Sequence, residues 1–164
     1  MLKRYRGFRD STGKAHVSVE DGEGQRPLKH LVRHSPTGFE FSYGGSGPAD
    51  LARSLLAEVY GEPVHAAVYQ RFKFKTIASL PHDEWILEES EIRKAADDIL
   101  RELGVTCQRC MDRGVCEDVE AVRRSGPSPI DGRLVYCTCP VGQKWVMEET
   151  ALVGEEGLVG EEGQ

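Results

Sequence analysis

Apolar and polar residues alternate near the start of the chain. In Lys14–Glu20, Ala15, Val17 and Val19 are interleaved with His16 and Ser18, a two-residue period that predicts a half-buried strand. Leu2–Arg9 precedes it across the turn-rich Asp10-Ser-Thr-Gly13, and the two segments predict a hairpin. Asp21-Gly-Glu-Gly24 is a second turn, and Pro27–Arg33, with Leu28, Leu31 and Val32, suits a short helix or a strand equally. Phe39, Phe41 and Tyr43 then alternate with Glu40 and Ser42, which predicts a strand with one aromatic face.

The period changes after Gly44-Gly-Ser-Gly-Pro48. Leu51, Ala52, Leu55, Leu56 and Val59 fall on one helical face, predicting a helix over Ala49–Tyr60 that Gly61 closes. Pro48 suits its first turn, where a missing N–H costs nothing, and Asp50 is placed to accept the exposed amides there. Pro63–Gln70 predicts a short second helix through Val64, Ala67 and Val68. Arg71–Leu80 alternates again, with Phe72, Phe74, Ala78 and Leu80 on one side and Arg71, Lys73 and Lys75 on the other. Glu88–Leu103 predicts a third, strongly amphipathic helix with Ile92, Ala95, Ala96, Ile99, Leu100 and Leu103 inward, ended by Gly104. Glu89 with Arg93, and Asp97 with Arg101, form four-apart ion pairs on its wet face. Residues 1–104 therefore predict an α+β domain, a small antiparallel sheet with two or three helices, with Trp85 in or at the rim of its core.

Residues 105–147 have few apolar positions, a Gly/Pro-rich stretch at Ser125-Gly-Pro-Ser-Pro129, and all five cysteines of the chain. Residues 148–164 repeat a hexapeptide, Leu152-Val-Gly-Glu-Glu-Gly157 and Leu158-Val-Gly-Glu-Glu-Gly163, and predict an acidic flexible tail. The net charge of −6 resides in that tail, whose six glutamates face no basic residue, leaving 21 acidic and 21 basic residues before it. A strongly basic nucleic-acid binder is disfavoured by this balance. No apolar run reaches the about 18–20 residues of a membrane span, and Met1–Arg9 has no hydrophobic stretch behind its basic residues. The expectation is a cytoplasmic protein.

The cysteines read Cys107-x-x-Cys110, Cys116, then Cys137-x-Cys139-Pro140-x-Gly142. Two tight corners can present four thiolates at the sulfur separation of tetrahedral zinc, about 3.8 Å for Zn–S bonds near 2.3 Å. Closing the 26-residue connection between Cys110 and Cys137 costs on the order of 3 kcal/mol beyond a constant. A structural zinc ion returns about 10–16 kcal/mol. The expected ligands of one structural Zn2+ are Cys107, Cys110, Cys137 and Cys139, with Cys116 outside the quartet. Disulfides are disfavoured in a reducing compartment, and a thioredoxin-type pair requires its first cysteine at a helix start, whereas Cys107 follows a helix end. An iron–sulfur cluster satisfies the same ligand count. Catalytic zinc usually adds His or carboxylate ligands, and His30 and His34, although four apart, lie far away in sequence.

Cys107-Gln-Arg-Cys-Met-Asp-Arg-Gly114, followed by Cys137-Thr-Cys-Pro-Val-Gly142, resembles the cysteine-rich zinc knuckles of many phage and mobile-element proteins. It departs from their usual Cys-x-x-Cys-x-Gly-x-Gly form at Asp112, which stands in the place of the first glycine. A second resemblance covers roughly Tyr5–Leu100. Tyr5-Arg-Gly7, His34-Ser-Pro-Thr-Gly-Phe-Glu40, Tyr43-Gly-Gly-Ser-Gly-Pro-Ala-Asp-Leu-Ala52, Tyr69-Gln-Arg-Phe-Lys73 and Leu80-Pro-His-Asp-Glu-Trp85 appear in order. They resemble a family of small bacterial and phage domains of unknown function, which implies a small fold carried on mobile elements and no established reaction.

The glycine loop itself suits a tight structural turn. A phosphate cradle there would use free amides at a helix start, but Gly-Lys-Ser/Thr is absent and Pro48 removes a donor. Ser46 lacks the Gly-x-Ser-x-Gly elbow of a nucleophile. In Arg71-Phe-Lys-Phe-Lys75, alternation sends phenylalanines and cations to opposite faces, which opposes base stacking on one surface. The leading expectation is a zinc-binding accessory protein that acts on a protein partner, with nucleic acid as a second candidate. Its rivals are an enzyme using a phosphate-bearing substrate at Gly44–Gly47 with Tyr43, His34 or Ser46 nearby, and a virion or assembly component.

Overall fold

β1 (Arg4–Arg9) and β2 (Ala15–Asp21) form the expected hairpin, with Tyr5 opposite Val19 and Gly7 opposite Val17. In the computed structural model, which describes residues 2–117, 134–144 and 147, the alternation of β2 is literal: Ala15, Val17 and Val19 are buried, and the residues between them are not. Asp21–Gly24 turns the chain into β3 (Gly24–Pro27), which resolves the open reading of Pro27–Arg33: the strand stops at Pro27 and irregular chain follows. The Ser125–Pro129 stretch, Trp145 and the tail of 148–164 lie outside the described residues.

β4 (Glu84–Glu88) pairs with the other side of β1, giving an antiparallel sheet in the order β3-β2-β1-β4. The sequence pattern had not suggested this strand. Its alternation is short, and Glu88 serves both as its last residue and as the N-cap of the helix that follows. Trp85 is the buried member. Its indole lies against the backbone of Gly7, where a Cβ would stand 2.1 Å from the indole Cε2. Only a residue without a side chain fits that register.

Three helices complete this α+β unit. α1 (Ser46–Tyr60) begins one turn earlier than the hydrophobic period suggests, so Pro48 does sit in its first turn. It is buried nearly all round, with Leu51, Leu55 and Leu56 fully enclosed, because both other helices pack on it. α2 (Ala66–Lys75) absorbs the first half of a segment that alternation had marked as extended. The four-residue series Val64, Val68, Phe72 is buried, His65 Nδ1 accepts the Ala67 amide at 3.1 Å, and Ala, Gln, Arg and Lys at the outward positions favour a helix. Phe72 and Phe74 consequently diverge: Phe72 is enclosed, Phe74 is 62% exposed, and Lys73 is only 7% exposed. The expected separation of aromatics from cations is thus replaced by a mixed arrangement.

α3 (Glu89–Leu103) opens with a capping box in which Glu91 Oε2 accepts the Glu88 amide at 2.8 Å, and Gly104 closes it in the left-handed region at φ 68°. Glu89 and Arg93 do pair, at 2.7 Å, with the Arg93 side chain 43% exposed and that of Glu89 largely enclosed. Glu89 is buried and also accepts the Lys3 amide, while Arg93 donates to the Val59 carbonyl. Arg101 pairs with Asp98 instead of Asp97. Glu58 of α1 bridges Lys3 and Arg26, each at 2.6 Å, tying the helix to the sheet at β3 and the start of β1.

The predicted aromatic strand at residues 38–43 does not form. Gly38 (φ 131°) and Ser42 (φ 74°) break the extended run, and among the described residues no strand pairs with it. Phe41 is enclosed anyway, edge-on to Trp85 at 5.7 Å and under the Arg9 guanidinium at 4.6 Å, while Arg9 pairs with Glu40 at 2.7 Å. Alternation here records the contacts of an irregular segment. The chain forms two compact units, Met1–Gln108 and Arg109–Gln164, and the second contains a ribbon of β5 (Val115–Glu117) and β6 (Leu134–Tyr136).

Gly7→Ala should lower the unfolding free energy by about 1–3 kcal/mol through overpacking against Trp85. A urea titration would read this as a lower midpoint with an unchanged slope; an unaltered midpoint would contradict the packing.

Candidate functional site

Two sites were expected from the sequence, a cysteine quartet and the glycine loop. The quartet is built from two corners. After Cys110 the chain enters the left-handed region at Met111 (φ 55°), Asp112 (φ 58°) and Gly114 (φ 81°), and the Arg113 amide returns to the Cys110 carbonyl at 3.2 Å. Asp112, which replaces the knuckle's usual glycine, takes a conformation that aspartate tolerates better than most residues. β5 and β6 carry the chain away and back, and the Cys137 amide donates to the Gly114 carbonyl at 2.7 Å, bringing the second corner beside the first.

At the second corner Cys139-Pro-Val-Gly142 turns sharply, with the Gln143 amide on the Cys139 carbonyl at 3.0 Å. A Cβ on Gly142 would stand 1.9 Å from the Cys137 carbonyl oxygen, so glycine is obligatory there. Burial raises the Cys139 pKa, but hydrogen bonds from the Gly142 and Val141 amides, with the Cys110 and Cys137 thiols beside it, outweigh burial and lower the value. The corner thus stabilises a thiolate.

The Sγ atoms of Cys107, Cys110, Cys137 and Cys139 all lie within 4.8 Å of one another, with Cys110 and Cys139 at 3.6 Å. Three of the four are buried and Cys139 is intermediate. No disulfide joins any of the five cysteines. Cys116 is buried in β5 and is not a member of this quartet. His30 and His34 are engaged within the first unit, on Asp50 and Tyr69.

Asp50 has a role different from the one expected. It is fully buried in α1, yet it caps none of the amides of its own helix. Its carboxylate accepts the backbone N–H groups of Arg33, His34 and Ser35 at 2.9–3.2 Å, and His30 Nε2 lies 3.0 Å from Oδ2. Burial pushes the Asp50 pKa up, the four donors pull it down further, and it ends below the usual carboxylate value. The signal was present as an acid inside an apolar helical stripe; its partners, some 16 residues away, had no pattern to mark them.

The glycines of the loop make room for side chains. A Cβ at Gly44 would strike the Phe74 ring at 2.6 Å, at Gly45 the Tyr43 ring at 2.4 Å, and at Gly47 the Glu40 Cβ at 2.6 Å. Tyr43 is half exposed, and among the described residues no hydrogen bond links Ser46 Oγ to a histidine, so a serine–histidine pair is not assembled. His34 Nε2 lies 2.9 Å from the Tyr69 hydroxyl. Burial and the charges of Arg33, Arg53 and Lys73 lower its pKa against the opposing pull of Asp50.

An α+β domain followed by a four-cysteine cluster is thus the class that fold and site define. Residues 5–98 match a family of unknown function, DUF6166, and the chain belongs to that family. No curated protein and no solved structure matches the chain.

Gly142→Ala should force the second corner open and weaken metal affinity by an order of magnitude or more, readable by competition with a chromophoric chelator; unchanged affinity would refute the corner geometry. Asp50→Asn should cost about 1–3 kcal/mol at neutral pH, since an amide cannot accept all four donors. Because the folded pKa of Asp50 is depressed, its stabilisation is full above the unfolded value near pH 4 and is lost as pH falls through the folded value. Acid titration of both proteins should therefore show a shallower decline below about pH 4 in the variant.

Proposed function

We propose that Cys107, Cys110, Cys137 and Cys139 hold one structural zinc ion, and that the module it organises presents a recognition surface to a partner macromolecule. The observation that carries the metal reading is the mutual approach of the four sulfurs within 4.8 Å. A tetrahedral MS4 centre needs about 3.8 Å between sulfurs. A polynuclear iron–sulfur cluster interposes several iron and sulfide ions and holds its cysteines farther apart. Four thiolates without histidine or carboxylate form the closed set of a structural centre, with no position for a reacting water. The amide donors at Cys139 support the same reading, since N–H groups directed at sulfur offset the negative charge of a tetrathiolate.

Among the described residues no helix is long and apolar enough to cross a membrane. A cytoplasmic accessory protein of phages or mobile elements fits the reduced cysteines and the resemblance of the first 100 residues. A protein is favoured as the partner because the chain before the acidic tail is electrically balanced.

The purified protein should contain one zinc per chain. Serine at position 107, 110, 137 or 139 should abolish stoichiometric binding, and Cys116→Ser should preserve it, as read by metal analysis and by the thiolate charge-transfer bands of the cobalt-substituted protein. Equal loss from all five serine variants would overturn the four-ligand assignment. Affinity capture from the native host with and without nuclease separates the partner classes: capture that survives nuclease indicates protein, and capture abolished by it indicates nucleic acid.

A further inference from the structure

The first cysteine corner is fastened to α2 by a backbone hydrogen bond. Gln108, which follows Cys107, accepts the His65 amide on its carbonyl at 2.8 Å. Both residues belong to the first unit, which ends at Gln108. His65 is the N-cap of α2: its Nδ1 accepts the Ala67 amide, and its carbonyl accepts the Val68 and Tyr69 amides at 3.0 and 3.3 Å. The start of the helix thus converges on one residue, and the N–H of that residue is engaged by the cysteine corner.

From His65 the helix leads into the core of the first unit. Val68 is fully enclosed and Tyr69 nearly so, and the Tyr69 hydroxyl meets His34 Nε2 at 2.9 Å. The His34 amide in turn donates to Asp50 at 2.9 Å. On the other side of the bond, Gln108 lies between α3 and β5, in a stretch with no helix or strand to hold it. Cys107 and Cys110 on either side of it belong to the quartet whose sulfurs lie within 4.8 Å of one another. Thiolates that close repel unless a cation neutralises them or they take up protons. The placement of the Gln108 carbonyl therefore depends on what the quartet holds.

We propose that the bond from His65 to Gln108 couples metal occupancy of the quartet to the order of the first turn of α2, so that loading and release of the ion are felt at the Tyr69–His34 contact. The proposal rests on the zinc reading of the quartet. With zinc on Cys107 and Cys110, the turn between them is fixed and the Gln108 carbonyl is set against the His65 amide. In the reduced, metal-free chain that turn is not held, and the amide exchanges its acceptor for water. A bond made in the loaded state alone favours loading by as much as loading favours the bond, so a change at the start of α2 must also alter zinc affinity.

Proline at position 65 isolates the bond. His65 has φ −62°, which proline adopts, and Val64 before it lies outside the helix, so His65→Pro removes the amide hydrogen and keeps the backbone path. His65→Ala is the control, since it loses the same imidazole cap and retains the amide. In competition with a chromophoric chelator, the full-length proline variant should bind zinc about two- to tenfold more weakly than the alanine variant. Hydrogen exchange supplies the reciprocal readout. When zinc is withdrawn from the native chain under reducing conditions, the His65, Val68 and Tyr69 amides should exchange faster by about tenfold or more, while Ile99 in α3 keeps its rate. Equal zinc affinity of the two variants would overturn the coupling. So would unchanged exchange at those amides in a chain that loads and releases one zinc, or an equal acceleration at Ile99, the mark of general unfolding. Should the proline variant not fold, the exchange rates of the native chain decide. A native chain that takes up no zinc overturns the reading of the quartet together with the coupling that rests on it.

Discussion

One enclosed carboxylate organises the irregular half of the first unit. Between β3 and α1 the chain runs from Leu28 to Gly45 without a helix or a strand, a length at which loops are seldom ordered unless something holds them. Asp50 holds this one. By accepting the amides of residues 33–35 it satisfies backbone groups that have no ladder of their own, and through His30 it extends the hold to a ring that packs on Phe39 at 4.6 Å. The arrangement mirrors helix capping with the direction reversed: the helix donates a carboxylate to the loop. Since both other helices pack on α1, the anchor sits on the most enclosed helix of the domain.

The cysteine module is held by a different device. Its described residues include two three-residue strands and few enclosed apolar side chains apart from the cysteines. Backbone geometry there serves the sulfurs: a run of left-handed residues after Cys110, a ribbon register that returns Cys137 to Gly114, and a glycine at 142 whose hydrogen faces a carbonyl. Hydrophobic burial on this scale is small beside the ordering cost of such a segment, whereas metal ligation is of the right size.

How much of this was legible depends on whether the governing contact is local. The period of β2, the apolar faces of α1 and α3 and their terminal glycines are set by neighbours within a turn or a strand, and each was readable. The cysteine spacing was readable too, because a tight turn fixes the sulfur separation of its own two cysteines. Three features were not. Arg71–Lys75 alternates like a strand, but the four-residue series from Val64 through Phe72 continues a helix and prevails, because enclosing Val68 and Phe72 outweighs a five-residue pattern. Phe39–Tyr43 alternates with no neighbouring strand to pair with, and its rings instead meet Arg9, Trp85 and His30 individually. The bond from Asp50 to residues 33–35 is long-range and chemically unspecific in sequence, since any enclosed acid has to find some donors.

Lys73 shows what separates these cases. As an alternating residue it belongs to a solvated basic row, where a lysine needs no explanation. Helical geometry instead covers its stem, so that the residue is only 7% exposed, and sets its ammonium 3.9 Å from the centroid of the Phe74 ring. Glu89, the other charged residue enclosed on a helix, shows the usual remedy, with Arg93 and the Lys3 amide both on its carboxylate. Asp50 has four donors, and Glu58 has two cations. The enclosed acids described are thus compensated within the chain, whereas the Lys73 stem is covered and its ammonium lies over the Phe74 ring without being among the buried unpartnered polar atoms. Burial of a charged residue is therefore not one condition: a carboxylate enclosed up to its oxygens requires donors from the chain, whereas a long ammonium side chain can be covered along its stem alone.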